Sequence, residues 1–257
     1  MTNILLSGAN GYMGRTVTRV CQENDKVKIV AGYDINTAQN GGFPVYSDLS
    51  ELDGLGEEIH AIIDFSHPAL FDSLLDYAVR TKTPAVFCTT GLSEEQVSAM
   101  KKAAETSPIF FSANMSLGIN LLIDLACKAA KLLEGSFDIE IVEKHHNKKL
   151  DAPSGTALAI ADAINEALDN KYGYVYDRSQ KREKRSQNEI GIHSVRGGNI
   201  VGEHDVIFAG KDEIIEINHR AASKEIFAVG AVKAAKYLAG KPAGFYTMKD
   251  VLKDVLA

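Results

Sequence analysis

The chain reads as an α/β protein in two parts. A doubly wound parallel sheet comes first, and an α+β unit with a mixed, mostly antiparallel sheet follows. Three observations predict this. Residues 1–116 alternate short apolar runs with amphipathic stretches, the grammar of βαβ units whose strands are buried on both faces. Beyond residue 116 strands succeed one another at close spacing, which suits antiparallel neighbours. A glycine turn, Gly8-Ala9-Asn10-Gly11-Tyr12-Met13-Gly14, joins the first apolar run to the first amphipathic stretch, as in a Rossmann-type domain.

NILLSG (3–8) is a buried strand, followed by a helix over 12–22. VKIVAGYD (27–34) is the second strand and HAIIDFS (60–66) the third. The helix after it starts near Pro68, an acceptable first-turn proline. PAVFCTTG (84–91) is the fourth strand. Ser93 with Gln96 three residues on makes a capping box for the next helix. PIFFSAN (108–114) is the fifth strand. LGINLLIDLACKAAKLLE (117–134) is a long helix, FDIEIVEKH (137–145) an alternating strand and SGTALAIADAINEAL (154–168) an amphipathic helix. The polar, basic stretch 171–189 reads as an exposed loop whose charges are a solvated surface, including the run 181–185. Three strands fill 189–221, with Gly197-Gly198-Asn199 predicted as a hairpin turn. A helix covers 224–241, and Thr247 with Asp250 caps a short last one.

A length of 257 residues allows one large domain or two smaller ones with real cores. Hydrophobic content of 45% and charged content of 24% are ordinary for a globular protein, and a net charge of −6 argues against nucleic acid as a partner. Cys21, Cys88 and Cys127 show neither metal-ligand spacing nor a disulfide framework, which fits a reducing compartment. MTNILLSGAN is too short and uncharged for a signal peptide, and no apolar run reaches membrane-spanning length. A cytoplasmic protein with no membrane partner is therefore expected.

The glycines of the first turn let the backbone approach a pyrophosphate, and the helix N-terminus behind them favours an anion. Asp34, twenty residues beyond Gly14 at the end of the second strand, can accept hydrogen bonds from an adenosine ribose. A carboxylate there repels a 2′-phosphate, and Ile35 supplies no cation, so NADH is favoured over NADPH. Arg15 could still reach over from the first helix. Ligands of such sheets sit outside the carboxyl ends of the strands. Cys88-Thr89-Thr90 and Ser112-Ala113-Asn114-Met115 end strands four and five and reach the crevice where a nicotinamide would lie. Cys88 has a positional role there and no redox role.

The stretch EKHHNKKLDAPSGT (143–156) carries the second site. His145 and His146 are neighbours, which point apart, and there is no HExxH spacing or cysteine partner, so a metal site is disfavoured. Ser154 lacks the strand–turn–helix elbow of a nucleophile and reads as a helix cap. Acid–base chemistry beside an anion site remains. Histidine as a residue type exchanges protons near neutrality, so His145 can donate or accept one; Lys149 can give a proton or hold a carboxylate, and Gly155 and Thr156 open a helix N-terminus. A hydride acceptor carrying carboxylates suits both, and a charged surface loop is the rival.

The run Glu143-Lys144-His145-His146-Asn147-Lys148-Lys149-Leu150-Asp151-Ala152-Pro153-Ser154-Gly155-Thr156-Ala157 resembles the signature of the 4-hydroxy-tetrahydrodipicolinate reductase (dihydrodipicolinate reductase) family. GANGYMGR, CTTG, SANMSLGIN, SVRGGNIVGEHDVIFAG and EIIEINHRAASKEIFAVGAVKAAKYL extend the resemblance over most of the chain. It implies NAD(P)H-dependent reduction of a cyclic dicarboxylate with loss of water, in diaminopimelate and lysine biosynthesis. It implies that His145 is a proton donor/acceptor and Lys149 a proton donor, with His146, Gly155 and Thr156 on the substrate. Gly8, Ala9, Asn10, Gly11, Tyr12, Met13, Asp34, Cys88, Thr89, Thr90, Ser112, Ala113, Asn114 and Met115 would line the cofactor. The resemblance also implies a homotetramer built through the second sheet. Residues 1–116 plus 226–257 would form the nucleotide domain, and 117–225 the substrate-binding and oligomerisation domain, with hinges near both breaks. Two other classes compete: a two-domain dehydrogenase of an amino acid or semialdehyde, and a nucleotide-sensing regulator.

Overall fold

Alternation along the first strands decides how the first sheet is covered. In β1 (Thr2–Ser7), Ile4 and Leu6 join one apolar cluster while Leu5 joins another. The computed structural model describes residues 1–179 and 182–256. In chain order, α1 (Tyr12–Gln22), β2 (Val27–Tyr33), β3 (Val45–Tyr46), β4 (Ala61–Asp64), α2 (Phe71–Thr81), β5 (Ala85–Phe87), α3 (Glu94–Ala103) and β6 (Pro108–Phe111) come first. Next are α4 (Leu117–Leu133), β7 (Asp138–His145), α5 (Gly155–Ala167), β8 (Gly173–Val175), β9 (Glu189–Arg196), β10 (Glu203–Ala209) and β11 (Ile214–Arg220). The chain ends with α6 (Glu225–Leu238), β12 (Gly244–Tyr246) and α7 (Met248–Leu256). Two compact units result: Met1–Leu117 together with the segment from Glu225 onward, and Gly118–Lys224.

The first unit holds a seven-stranded sheet in the order β12-β6-β5-β4-β1-β2-β3, every pairing parallel. Val17 and Cys21 of α1, Ala231 and Ala235 of α6, and Val251 of α7 bury one face. Leu74 and Ala78 of α2 and Met100 of α3 bury the other. This is the doubly wound sheet expected, with its strand order reversing between β1 and β4. A bulge pairs Ile4 with Ile29 and then Leu5 with Ala31. It flips the facing of β2, so Val27 and Ile29 pack on one side and Ala31 and Tyr33 on the other. The capping box of α3 forms as predicted, and Asp250 accepts both the N–H and the hydroxyl of Thr247 at 2.8 and 2.9 Å. β3 and β12 escaped prediction because two- and three-residue edge strands carry no period.

The second unit holds a five-stranded sheet in the order β11-β10-β7-β9-β8. β10 pairs antiparallel with β7 and β11, whereas β9 pairs parallel with β7 and β8. The sheet is thus mixed, with no antiparallel majority. One face carries Ile139, Ile141, Ile190, Ile192, Val206 and Phe208 and packs with Leu122 and Ala126 of α4 and Ile160 and Ile164 of α5.

The Gly197-Gly198-Asn199 turn is not a hairpin, because β7 lies between β9 and β10. Six residues, 197–202, cross the end of β7, a gap of about 10 Å between its two neighbours. The Gly197 N–H donates to the His145 carbonyl at 2.9 Å and the Asn147 N–H to the Gly198 carbonyl at 3.2 Å. The stretch 171–189 is likewise more than a solvated loop. It contains β8, and Arg185, only 17% exposed, pairs with Glu140 at 2.9 Å and Asp138 at 2.8 Å. Gln180 and Lys181, part of that predicted loop, lie outside the described residues.

Candidate active site

The three glycines after β1 have separate duties. Gly8 is left-handed at φ +74°, and a Cβ there would stand 2.7 Å from the Phe65 carbonyl oxygen. A Cβ on Gly14 would stand 2.1 Å from the Gly8 oxygen, so the third glycine lets α1 close on the turn. Gly11 is the N-cap of α1, no side chain caps it, and its nearest obstacle is 3.3 Å away. Gly8 and Gly14 are thus demanded by the backbone itself, and Gly11 is the one whose bareness leaves room for a phosphate.

Asp34 follows β2. Its Oδ2 accepts the Asn10 N–H at 2.9 Å and its Oδ1 the Asn36 N–H at 3.0 Å. That pairing ties the carboxylate to the glycine turn, and each oxygen keeps a further acceptor site. Nearby Arg15 donates Nε–H to the Asn10 carbonyl at 3.0 Å, and Arg19 pairs with Glu225 at 2.6 Å. Ala9, Asn10, Arg15, Arg19 and Asn40 line a cavity of about 360 Å³.

The ends of β4, β5 and β6 meet in the same unit. Asp64, fully buried, accepts the Thr89 hydroxyl at 2.6 Å and the Ser66 N–H at 3.0 Å. It went unremarked in the sequence because a single acid ending a strand has no distinguishing spacing. Burial, with the Asp64 charge adding to it, pushes the Cys88 thiol up, which leaves it protonated and unreactive at neutral pH. Thr90 is exposed. Ser112 donates its hydroxyl to the Asn114 carbonyl at 2.7 Å, and Asn114 Oδ1 accepts the Ser116 N–H at 2.9 Å. Met115 is buried in the core beside Ala228 and Ala231.

In the second unit the histidine pair lies at the end of β7. Ile139, Ile141, Glu143 and His145 share one face by the period of two, and the last two occupy what would otherwise be core positions. Glu143 is fully buried. His145 Nδ1 stands 2.6 Å from Glu143 Oε2. Arg196, opposite His145 on β9, donates to both Glu143 oxygens at 2.7 Å. The Ser154 N–H donates to Glu143 Oε1 at 3.1 Å. Burial pushes the Glu143 carboxyl up, but Arg196, His145, the Ser194 hydroxyl and the Ser154 N–H together outweigh it and bring it down to about 2. On β10, His204 faces the His145 ring edge-on at 5.3 Å and lies 3.3 Å from the Ser154 hydroxyl. Burial, then the charge of His145, brings His204 down to about 4, so it is neutral at pH 7.

Beyond β7 the chain turns back, with the Lys149 N–H donating to the His146 carbonyl at 3.1 Å. Lys149 Nζ pairs with Asp151 Oδ1 at 2.9 Å and is 23% exposed. Ser154 caps α5 by accepting the Ala157 N–H at 3.2 Å, as predicted. The α5 N-terminus is less bare than expected. The Asp151 carboxylate, held low first by Lys149, also takes the Gly155 N–H. Among the described residues, no atom beyond its chain neighbours and its own helix backbone lies within 4 Å of where a Gly155 Cβ would be. Thr156 stands beside it, and the Nδ1 of His146 is buried without a partner. Among the described residues no group of three or more His, Cys, Asp or Glu could hold a metal ion.

Glu143 and Arg196 are the members of this site that the sequence did not reveal. Glu143 was detectable, since i and i+2 on a strand share a face with His145. Arg196 was not, because its register against β7 exists only in the folded sheet.

Two family profiles match the chain: Dihydrodipicolinate reductase, N-terminus, over residues 2–115, and Dihydrodipicolinate reductase, C-terminus, over 118–252. A 4-hydroxy-tetrahydrodipicolinate reductase from Caldanaerobacter subterraneus subsp. tengcongensis is 56% identical over 253 residues, spanning 98% of this chain and 99% of that protein. One from Clostridium tetani is 47% identical over 254 residues, spanning 99% and 98%. Among solved structures, a dipicolinate-bound dihydrodipicolinate reductase from Paenisporosarcina sp. TG-14 superposes with a TM-score of 0.79 at 23% identity, covering 96% of this chain and 97% of that one. A diaminopimelate (DAP) dehydrogenase from C. glutamicum, in complex with DAP, gives 0.57 at 13% identity, covering 99% and 98%. At these identities the two structures speak to fold.

Proposed function

The chain belongs to the dihydrodipicolinate reductase family, and we propose from that premise how its residues divide the work. It is an NAD(P)H-dependent oxidoreductase of lysine and diaminopimelate biosynthesis. It reduces 4-hydroxy-tetrahydrodipicolinate to tetrahydrodipicolinate with loss of water. The observation that carries the assignment of roles is the end of β7. There a histidine on a buried carboxylate, a lysine and the start of a helix are brought together.

The glycine turn fits a dinucleotide, since a Cβ on Gly11 would meet the Gly8 carbonyl oxygen at 3.3 Å and its absence keeps the α1 N-terminus clear for a phosphate, while Asp34, tied to the turn through the Asn10 N–H, would accept ribose hydroxyls. Gly8, Ala9, Asn10, Gly11, Tyr12 and Met13 would hold the pyrophosphate. Cys88, Thr89, Thr90, Ser112, Ala113, Asn114 and Met115 would flank the nicotinamide end. When bound, NAD(P)H supplies the hydride. His145 then takes and gives a proton, and Lys149 delivers one to the charge that develops on the ring. His146, Gly155 and Thr156 hold substrate carboxylates. In this division residues 1–116 and 226–257 serve the cofactor, and 117–225 serve the substrate and subunit assembly.

NADH is the preferred donor in this proposal. Asp34 opposes a 2′-phosphate, and the nearby Arg15 and Arg19 are engaged with Asn10 and Glu225. No metal takes part. Four subunits would associate through the second sheet on the side that α4 and α5 leave uncovered, where Val195 and Ile214 are exposed. The enzyme would work in the cytoplasm. All three cysteines are free, and no described helix is long and apolar enough to cross a membrane.

One steady-state assay tests the reaction and the cofactor together. Only the cyclic dicarboxylate should oxidise the cofactor rapidly, with kcat/KM for NADH at least about tenfold above that for NADPH. Faster oxidation with an amino acid or an open-chain semialdehyde would overturn the reaction. A preference for NADPH would overturn the part given to Asp34.

The open space beside Gly155 gives a second test. Gly155→Ala places a methyl group with no non-local atom of the described residues within 4 Å, at a helical position that favours alanine. Thermal stability should hold or rise slightly, while KM for the dicarboxylate rises about tenfold or more as the methyl blocks carboxylate approach. An unchanged KM would remove Gly155 from the substrate site.

A further inference from the structure

Glu143 is a fully buried carboxylate that touches both halves of the β7 site, the histidine and the start of α5. Two guanidinium contacts at 2.7 Å neutralise it, and the same Arg196 donates to the Asp151 carbonyl at 2.6 Å. A carboxylate so paired stays ionised and has no proton to donate. The 2.6 Å contact with His145 therefore requires the proton to lie on Nδ1 of the ring. A neutral imidazole has one ring proton, which leaves Nε2 bare. Among the described residues Nε2 makes no hydrogen bond. A side chain on Gly202 would press to 3.1 Å of it, so the glycine keeps its approach clear.

We infer that Glu143, clamped by Arg196, is a positioning residue that holds His145 in its Nδ1–H tautomer and so makes Nε2 the atom that exchanges the proton. The inference rests on the proposed role of His145 in proton transfer. The other titratable groups around the ring offer Nδ1 no alternative. His204 on β10 presents its ring edge-on and is neutral, and His219 lies opposite His204 on β11. Asp151 is taken up by Lys149 and Gly155.

Ring-nitrogen NMR of the ¹⁵N-labelled protein, followed with pH into the range where the ring holds a single proton, tests the tautomer without reference to any substrate. The expected spectrum shows His145 Nδ1 protonated and Nε2 unprotonated. In Glu143→Gln the amide oxygen is drawn to the Oε1 position, where Arg196 and the Ser154 N–H both donate. The amide N–H then faces Nδ1 and inverts the pair. With that inversion kcat should fall about 100-fold or more, while KM for substrate and Kd for dipicolinate stay within about threefold. Glu143→Asp, which keeps the charge, should retain the native tautomer and recover part of the rate. A wild-type ring with its proton on Nε2 would overturn the inference, even should Glu143→Gln fail to fold. So would near-normal turnover in an inverted ring, or a loss confined to KM. A wild-type enzyme with the expected ring but no activity on the dicarboxylate would overturn the functional proposal alone.

Discussion

Lys149→Ala is expected to lower kcat for the cyclic dicarboxylate by about 10²- to 10⁴-fold while the Kd for NADH changes less than about twofold. The lysine stands on the turn after β7, and among the described residues its ammonium pairs with the exposed carboxylate of Asp151 alone, at 2.9 Å. Its removal empties no core position and breaks no buried pair, so the fold should persist. The partner it leaves behind is 57% exposed and is rehydrated at little cost. In the proposed role of Lys149, what is lost is a charge beside the substrate. Hydride arriving at a ring carbon leaves negative charge that a nearby proton donor must meet, and an ammonium does so better in a site shielded from water. Single-turnover measurements with NADH pre-bound separate this from slow binding. The proton role predicts a slower hydride step at saturating substrate, and a mere carboxylate clamp predicts a rate restored by more substrate. Near-normal turnover would remove Lys149 from the chemistry.

The parts of this molecule that were readable in the sequence are those that depend on local pattern. The apolar run of β1, the alternating run of β7, the glycine turn, the Ser93–Gln96 box and the Ser154 cap each lie within a few consecutive residues, and each forms. What was misread depends on which strand lies beside which. Glycine and asparagine at 197–199 are hairpin residues by composition, yet β7 separates the strands they join because its own two sides both need pairing. Arg185 looked like one of several solvated cations, and only the folded sheet brings Glu140 and Asp138 beneath it. The site divides in the same way. His145, Lys149 and Gly155 belong to one continuous stretch, whereas the Glu143–Arg196 pair spans 53 residues and exists through the parallel register of β7 and β9.

Arg196→Ala should be the most destabilising single change at this site, costing about 3–5 kcal/mol at neutral pH, since it strands a buried carboxylate without its cation. Both oxygens of Glu143 would lose a 2.7 Å charge-assisted bond, leaving the Ser154 N–H, the Ser194 hydroxyl and His145 as partners. The dependence on pH separates this cause from lost packing. Glu143 is lowered in the folded protein from an ordinary 4.5 to about 2. A carboxyl lowered by folding contributes stability that is present above pH 4.5 and lost as the pH falls toward 2, and a shift of that size corresponds to about 3 kcal/mol. In Arg196→Ala burial dominates, the carboxyl rises above its wild-type value, and the buried charge is relieved by protonation as acid is added. The gap in unfolding free energy between wild type and variant should therefore be widest near neutrality and narrow steadily below pH 4.5. Denaturant titrations at several pH values, with the m-value unchanged, measure it. Glu143→Gln combined with Arg196→Ala should recover much of the loss, because the double variant buries no charge. A gap that stays constant with pH, or a double variant as unstable as Arg196→Ala, would mean that the arginine stabilises β9 by packing and that Glu143 is not held by its charge.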